Sequence, residues 1–144
     1  MEYYSWKEDY SVKVESLDLQ HRKMFEIFHK LGESCDAPAE FETISDILSE
    51  LYSYAQEHFE HEERLLEQHI PDLLEEQRKQ HEYYIKRVEK LTLNVINNKG
   101  NATADLHSFV STWWLKHILK WDMKYKGLLT EKDLHTSTTP AQNT

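Results

Sequence analysis

Four stretches of the chain repeat one spacing, with inward-type residues four and three positions apart. That is the seam of a helix packed in a bundle. The first stretch reads Leu17, His21, Met24, Phe28 and Leu31, and the second Ile44, Leu48, Leu51, Ala55, His58, Glu62 and Leu65. The third reads Leu74, Gln77, His81, Tyr84, Val88, Leu91 and Val95, and the fourth Leu106, Val110, Trp114, His117 and Trp121. Punctuation between them sets the expected ends. Asp18 reads as the first N-cap and Gly32 as a stop, with a loop from Glu33 to Glu40. The second helix runs from about Phe41 to Leu66, and the third begins near Pro71, since proline suits a first helical turn. Asn97-Asn98-Lys99-Gly100-Asn101 ends it, and the fourth helix runs from about Thr103 to Gly127.

Short connections between four helices predict an all-α, antiparallel up-down-up-down bundle over residues 18–127. Residues 1–17 read as an extended N-terminal arm, in which Tyr10, Val12 and Val14 alternate with polar residues and Trp6 is the anchor. Residues 128–144 read as a tail that is polar and disordered from 136 onward. With only 3 Gly and 3 Pro, the composition favours long helices over a turn-rich β architecture.

The seams are interrupted by the wrong kind of residue. His21 lies near the start of the first helix, His58 late in the second, His81 early in the third and His117 late in the fourth. In an antiparallel bundle those four positions meet at one end. Glu62, one turn after His58, shares its helix face. Asp122 follows His117 by five, an offset that turns it away on a regular helix, so a local widening or π-type bulge is expected between them. Two buried carboxylates beside four imidazoles make sense around a cation. Nitrogen and oxygen donors without thiolate point to iron, manganese or zinc. Six to seven donors exceed what a closed zinc site needs and suit two metals of higher coordination number, with iron first and manganese open beside it.

The remaining histidines, His29, His61, His69, His107 and His135, leave the seams and read as solvated. His61-Glu62 does not make a zinc-protease motif, because Leu65 stands where the second histidine must be. The run Glu57 to Glu63 reads as a charged face with only Glu62 on the seam, and Trp113 and Trp114 as core or interface residues, an apolar gas pocket near His117 being the second reading of that aromatic seam. Cys35 reads as an ordinary loop or semi-buried thiol rather than a ligand.

A formal net charge of −9 argues against nucleic acid and against an anionic membrane surface as partners. No apolar run is long enough to span a bilayer, the start lacks the marks of a signal peptide, and a single cysteine fits a reducing compartment, so a cytoplasmic location is expected.

Taken together, Trp6, Tyr10, Val12 and Val14 of the arm, Leu17-Asp18-Leu19-Gln20-His21, His58-Phe59-Glu60-His61-Glu62-Glu63, and Trp114-Leu115-Lys116-His117-Ile118 followed by Asp122 resemble the hemerythrin family in its bacterial single-domain form. The resemblance spans about Trp6 to Tyr125. It implies a non-haem centre of two iron ions with an oxo or hydroxo bridge, which binds O₂ reversibly for sensing, storage or delivery. Glu62 and Asp122 would bridge the irons, His21 and His58 would hold the iron with an open position, and His81 and His117 would hold the other. The chain departs from the family at Gln77, where a histidine four before His81 is usual. Gln77 either ligates through its amide oxygen or hydrogen-bonds to a ligand or metal-bound water; a shift bringing in Glu76 is the less favoured outcome, since Glu76 is off the seam. Losing an imidazole there opens an alternative, a di-iron redox enzyme that reduces peroxide or nitric oxide.

Overall fold

The computed structural model describes residues 6–36 and 40–129. Four helices carry the fold: α1 (Glu15–Asp36), α2 (Phe41–His69), α3 (Leu74–Ile96) and α4 (Ala102–Lys120). Helix α1 packs on α2 and α4, and α3 packs on the same two, so the all-α antiparallel bundle forms as expected. No helix among the described residues is long and apolar enough to cross a membrane.

The seams point inward as spaced. Leu17, Met24, Phe28 and Leu31 of α1, Leu51 and Ala55 of α2, Tyr84 and Val88 of α3, and Leu106, Val110 and Trp114 of α4 are all buried. Most belong to one large core that fills the bundle from the donor-bearing end toward the other. A second, smaller cluster closes that end. There Val12 and Val14 of the arm meet Leu17, Leu65, Leu66, Tyr125 and Leu129. The donor residues therefore lie between two apolar masses, and water is kept from them on both sides.

Several boundaries differ from expectation for identifiable reasons. Helix α1 runs through Gly32 to Asp36, because a helical glycine costs only about 1 kcal/mol, less than the burial of neighbouring Leu31 and Phe28 returns. Of the two readings of Cys35, the semi-buried thiol holds: it is helical and half-buried, its Sγ 3.5 Å from the Leu31 carbonyl. Asp18 is not the N-cap, since α1 already begins at Glu15. Its carboxylate instead accepts from the Ser11 hydroxyl at 2.6 Å and the Val12 N–H at 2.9 Å, clasping the arm onto α1. Between residues 6 and 14 the arm is extended except for a short 3₁₀ turn at Glu8–Tyr10, and Lys13 takes a left-handed φ of 64° where the chain turns into the helix; the expectation for residues 1–5 lies outside the described residues. Trp6 is half-buried against the core, its ring edge on Tyr10 and the Arg22 guanidinium above it.

Pro71 opens a 3₁₀ turn, Pro71–Leu73, ahead of α3. The fourth helix stops earlier than Gly127. Its last α-type bond runs from Trp121 N–H to the His117 carbonyl at 2.8 Å, and a 3₁₀ turn over Asp122–Tyr125 follows. The expected widening between His117 and Asp122 is thus a helix end that tightens, not a π bulge. Gly127, with φ 81°, does mark a left-handed turn, now after that 3₁₀ segment. Leu129 folds back into the second cluster, so the start of the tail is packed. The expectation of disorder over 136–144 and of a solvated His135 lies outside the described residues.

The Asp18 clasp can be tested directly. Asp18→Ala leaves the buried Val12 N–H and Ser11 hydroxyl without their acceptor, and should destabilise the protein by about 1–3 kcal/mol in urea denaturation. No measurable change would show that the arm is held by apolar contact alone.

Candidate metal centre

Each helix delivers donors to one level of the bundle. His21 enters from the second turn of α1, and His58 and Glu62 from one face of α2. Gln77 and His81 come from one face of α3, and His117 from the last turn of α4. The 3₁₀ turn after α4 brings Asp122 back toward the axis. All seven are buried. The structure therefore brings every candidate donor to one place.

The donors fall into two overlapping groups. One holds His21, His58, Glu62 and Asp122; the other holds Glu62, His81 and His117. His21 Nε2 lies 3.1 Å from His58 Nε2 and 3.3 Å from Asp122 Oδ2. Glu62 Oε2 lies 3.6 Å from His58 Nε2, while its Oε1 lies 2.9 Å from His81 Nε2 and 4.0 Å from His117 Nε2. Asp122 Oδ1 is 3.0 Å from His117 Nε2. Both carboxylates thus reach donors of both groups.

Distance and direction disagree in an informative way. Glu62 Oε1 and His81 Nε2 are 2.9 Å apart, yet neither has a hydrogen-bond partner, and the same holds for His117 Nε2, Asp122 Oδ2 and Gln77 Oε1. Atoms this close but misaligned are not paired with each other; they aim at a common point. Two donors each about 2.1 Å from one cation at right angles lie about 3.0 Å apart, the separation found. The donor set fits a cation.

Outer residues set how the imidazoles are presented. His58 Nδ1–H donates to Gln20 Oε1 at 2.7 Å, and His81 Nδ1–H donates to Glu63 Oε2 at 2.7 Å, which leaves both Nε2 atoms facing inward. Arg78 Nε holds the other Glu63 oxygen at 3.2 Å. The Tyr125 hydroxyl donates to Glu62 Oε2. Phe59 stacks on the His81 ring with centroids 3.9 Å apart, Trp113 stacks on His117 at 4.4 Å, and Trp114 packs beside His21 and His58. Gln77 Nε2 donates to Asp122 Oδ1 at 2.9 Å, so the side chain reaches a candidate ligand.

The roles of these outer residues do not follow from spacing. Gln20 and Glu63 stand in the motifs that carry the resemblance, yet both lie off the seams, and Tyr125 carries no signal beyond a three-residue step from Asp122. His107 is a correction. It is buried in α4, its Nε2 3.5 Å from the Ser111 hydroxyl, because both α4 flanks are covered by neighbouring helices. His61 is half-buried, with Ser16 Oγ 3.1 Å away, while His29 is exposed and pairs with Glu33 at 2.9 Å. His69 is half-buried rather than solvated.

Burial and mutual proximity pull the imidazoles apart in pKa. Burial, reinforced by neighbouring His21, pushes His58 down to about 3. Burial also acts to lower His117, but Asp122 and Glu62 beside it prevail and raise it to about 9. Burial would raise the Glu62 carboxyl, yet His117 and His81 hold it well below the ordinary carboxylate range.

A buried constellation of imidazoles and carboxylates inside a four-helix bundle defines a cation-binding bundle protein. The family described as hemerythrin HHE cation binding domain matches residues 12–129. The chain is 32% identical over 124 residues to a bacteriohemerythrin of Clostridium acetobutylicum, covering 83% of this chain and 96% of that protein. It is 26% identical over 121 residues to a bacteriohemerythrin of Stenotrophomonas maltophilia, covering 83% and 77% respectively. It is also 28% identical over 127 residues to a myohemerythrin of Riftia pachyptila, covering 88% and 93%. The chain belongs to the hemerythrin family.

The pKa shifts predict a stability maximum for the metal-free protein near the ordinary histidine value of 6.5. His58, lowered to about 3, is fully stabilising as a neutral group above 6.5, and that stability is lost as pH falls from 6.5 toward 3. His117, raised to about 9, contributes fully below 6.5 and loses its contribution as pH rises through 9. Chelator-treated protein should therefore show its highest urea midpoint near that value and lower midpoints at pH 5 and pH 9, each limb bounded by about 1.4 kcal/mol per pH unit per proton. A midpoint that rises steadily toward pH 9 would contradict the assignment to His117.

Proposed function

We propose that this chain is a non-haem di-iron protein that binds O₂ reversibly, in oxygen sensing, storage or delivery. The observation that carries it is the shared position of Glu62, whose two oxygens face His58 on one side and His81 on the other. A carboxylate between two imidazole groups fits two adjacent cations better than one. His21 and His58 would hold one iron, His81 and His117 the other, with Glu62 and Asp122 between them. The iron pair supplies the electrons that O₂ binding requires.

The chain's own groups do the rest. Gln20 and Glu63 fix the tautomers of His58 and His81, and the Tyr125 hydroxyl restrains one Glu62 oxygen. Trp114, Phe59 and the arm cluster keep bulk water, which would compete with the protein's donors, away from the centre.

Gln77 favours a second reading. Its amide N–H faces Asp122 Oδ1, while its Oε1 is buried without a partner. As placed, the amide hydrogen-bonds a ligand; turned over, it would set Oε1 beside Asp122 at ligand spacing. In the first state the iron that His81 and His117 would hold gains no third protein donor, and in the second only a donor weaker than imidazole; both would leave room for exogenous ligands. That arrangement supports peroxide or nitric oxide reduction as the alternative.

Two measurements separate these readings. Iron analysis should find two irons per chain, and the reduced protein should gain visible bands in air that vanish when O₂ is removed. Sustained peroxide consumption with an electron donor, without reversible bands, would replace the binding reading with the catalytic one. Gln77→His should raise retention of the second iron and slow autoxidation by about tenfold, as expected for a restored ligand. Unchanged iron content and autoxidation would show that the glutamine is silent.

A further inference from the structure

His117 belongs to two places at once. Its Nε2 faces the carboxylates, and the same residue lines a cavity of about 450 Å³ that lies between α3 and α4. Gln80 and Tyr83 form the α3 side; Trp113 and Trp121 supply indole surface from the other. Lys116 and Lys120, one turn apart, also line it. Neither lysine has an acidic partner among the described residues, although the chain carries a net charge of −9; the Lys120 ammonium lies 5.3 Å from the centroid of the Trp121 ring. Two like charges at that spacing repel, so their shared cavity favours an anion. The size and the largely aromatic lining with few polar groups suit a small organic ligand.

A second observation points the same way. His58 and His81 each donate Nδ1–H to an acceptor, Gln20 and Glu63. His117 Nδ1 is buried with no hydrogen-bond partner among the described residues. His21 Nδ1 shares that condition, but it is His117 that lines this cavity. A buried imidazole N–H without an acceptor is costly, and a carboxylate is the acceptor that matches it.

We propose that this cavity binds a small free organic carboxylate, which pairs with Lys116 and Lys120, packs on the Trp113 and Trp121 rings, and accepts the Nδ1–H of His117. Bound there, it gives His117 the contact that Glu63 gives His81. Occupancy of the cavity then tunes the centre from outside, an effect that rests on His117 being a metal ligand as argued above.

Benzoate and its neutral analogue benzamide are suitable probes, used with the full chain in both metal-free and iron-loaded forms. Calorimetry should show benzoate binding to both forms, about tenfold tighter than benzamide, and Lys116→Met/Lys120→Met should weaken it about tenfold while leaving the circular dichroism spectrum unchanged. In the iron-loaded protein benzoate should shift the visible bands without displacing azide. Normal iron loading with no benzoate binding, or binding indifferent to the lysine changes, overturns the proposal. Benzoate that competes with azide marks direct iron ligation and also overturns it. Concentration-dependent self-association, measured by sedimentation and lost in the double variant, would assign the carboxylate to a second copy of the chain and overturn the free-ligand assignment. If the chain takes up no iron but binds benzoate, the cavity stands and the di-iron reading falls.

Discussion

The constraint on which this bundle turns is a buried carboxylate and imidazole facing each other at hydrogen-bond distance without hydrogen-bond direction, the arrangement of two donors that converge on one cation. Glu62 with His81 shows the condition directly, and the unpartnered Nε2 of His117 and Oδ2 of Asp122 extend it. Taking two carboxylates and four imidazoles out of water costs several kcal/mol per charge unless each is compensated. The protein accepts that cost at one level of its core and surrounds it with apolar mass on both sides. Packing, arm placement and the early end of α4 all serve this level.

The end of α4 shows how closely fold and centre are coupled. A regular helix would carry Asp122 away from His117; the 3₁₀ turn returns it to 3.0 Å and also turns Tyr125 toward Glu62. The same segment then delivers Leu129 to the arm cluster. Through Asp18, the arm is tied to the helix that carries His21. Both chain segments flanking the bundle therefore close over the donors.

How much of this could be read from the sequence depended on periodicity. His21, His58, Glu62, His81 and His117 stand on seams, so a step count placed them inside and at one end. Residues whose roles depend on reach rather than step were hidden. Glu63 sits on an ordinary charged face and matters only because α3 brings His81 within 2.7 Å. His107 looked solvated because its helix was given one inward face, whereas α4 is covered on two sides. Asp18 had the right chemistry for a cap and used it on the arm instead, since Glu15 already began the helix. The offset from His117 to Asp122 revealed an irregularity, but periodicity alone could not distinguish a widened turn from a terminated one.

Compensation of the buried donors by a bound metal is read out by thermal unfolding at neutral pH. Iron-loaded protein should unfold well above the chelator-treated protein, and the gap should widen with free metal concentration, because ligand binding to the folded state alone stabilises it. Equal unfolding temperatures for the two forms would contradict the account, since the converging donors would then be satisfied without a cation.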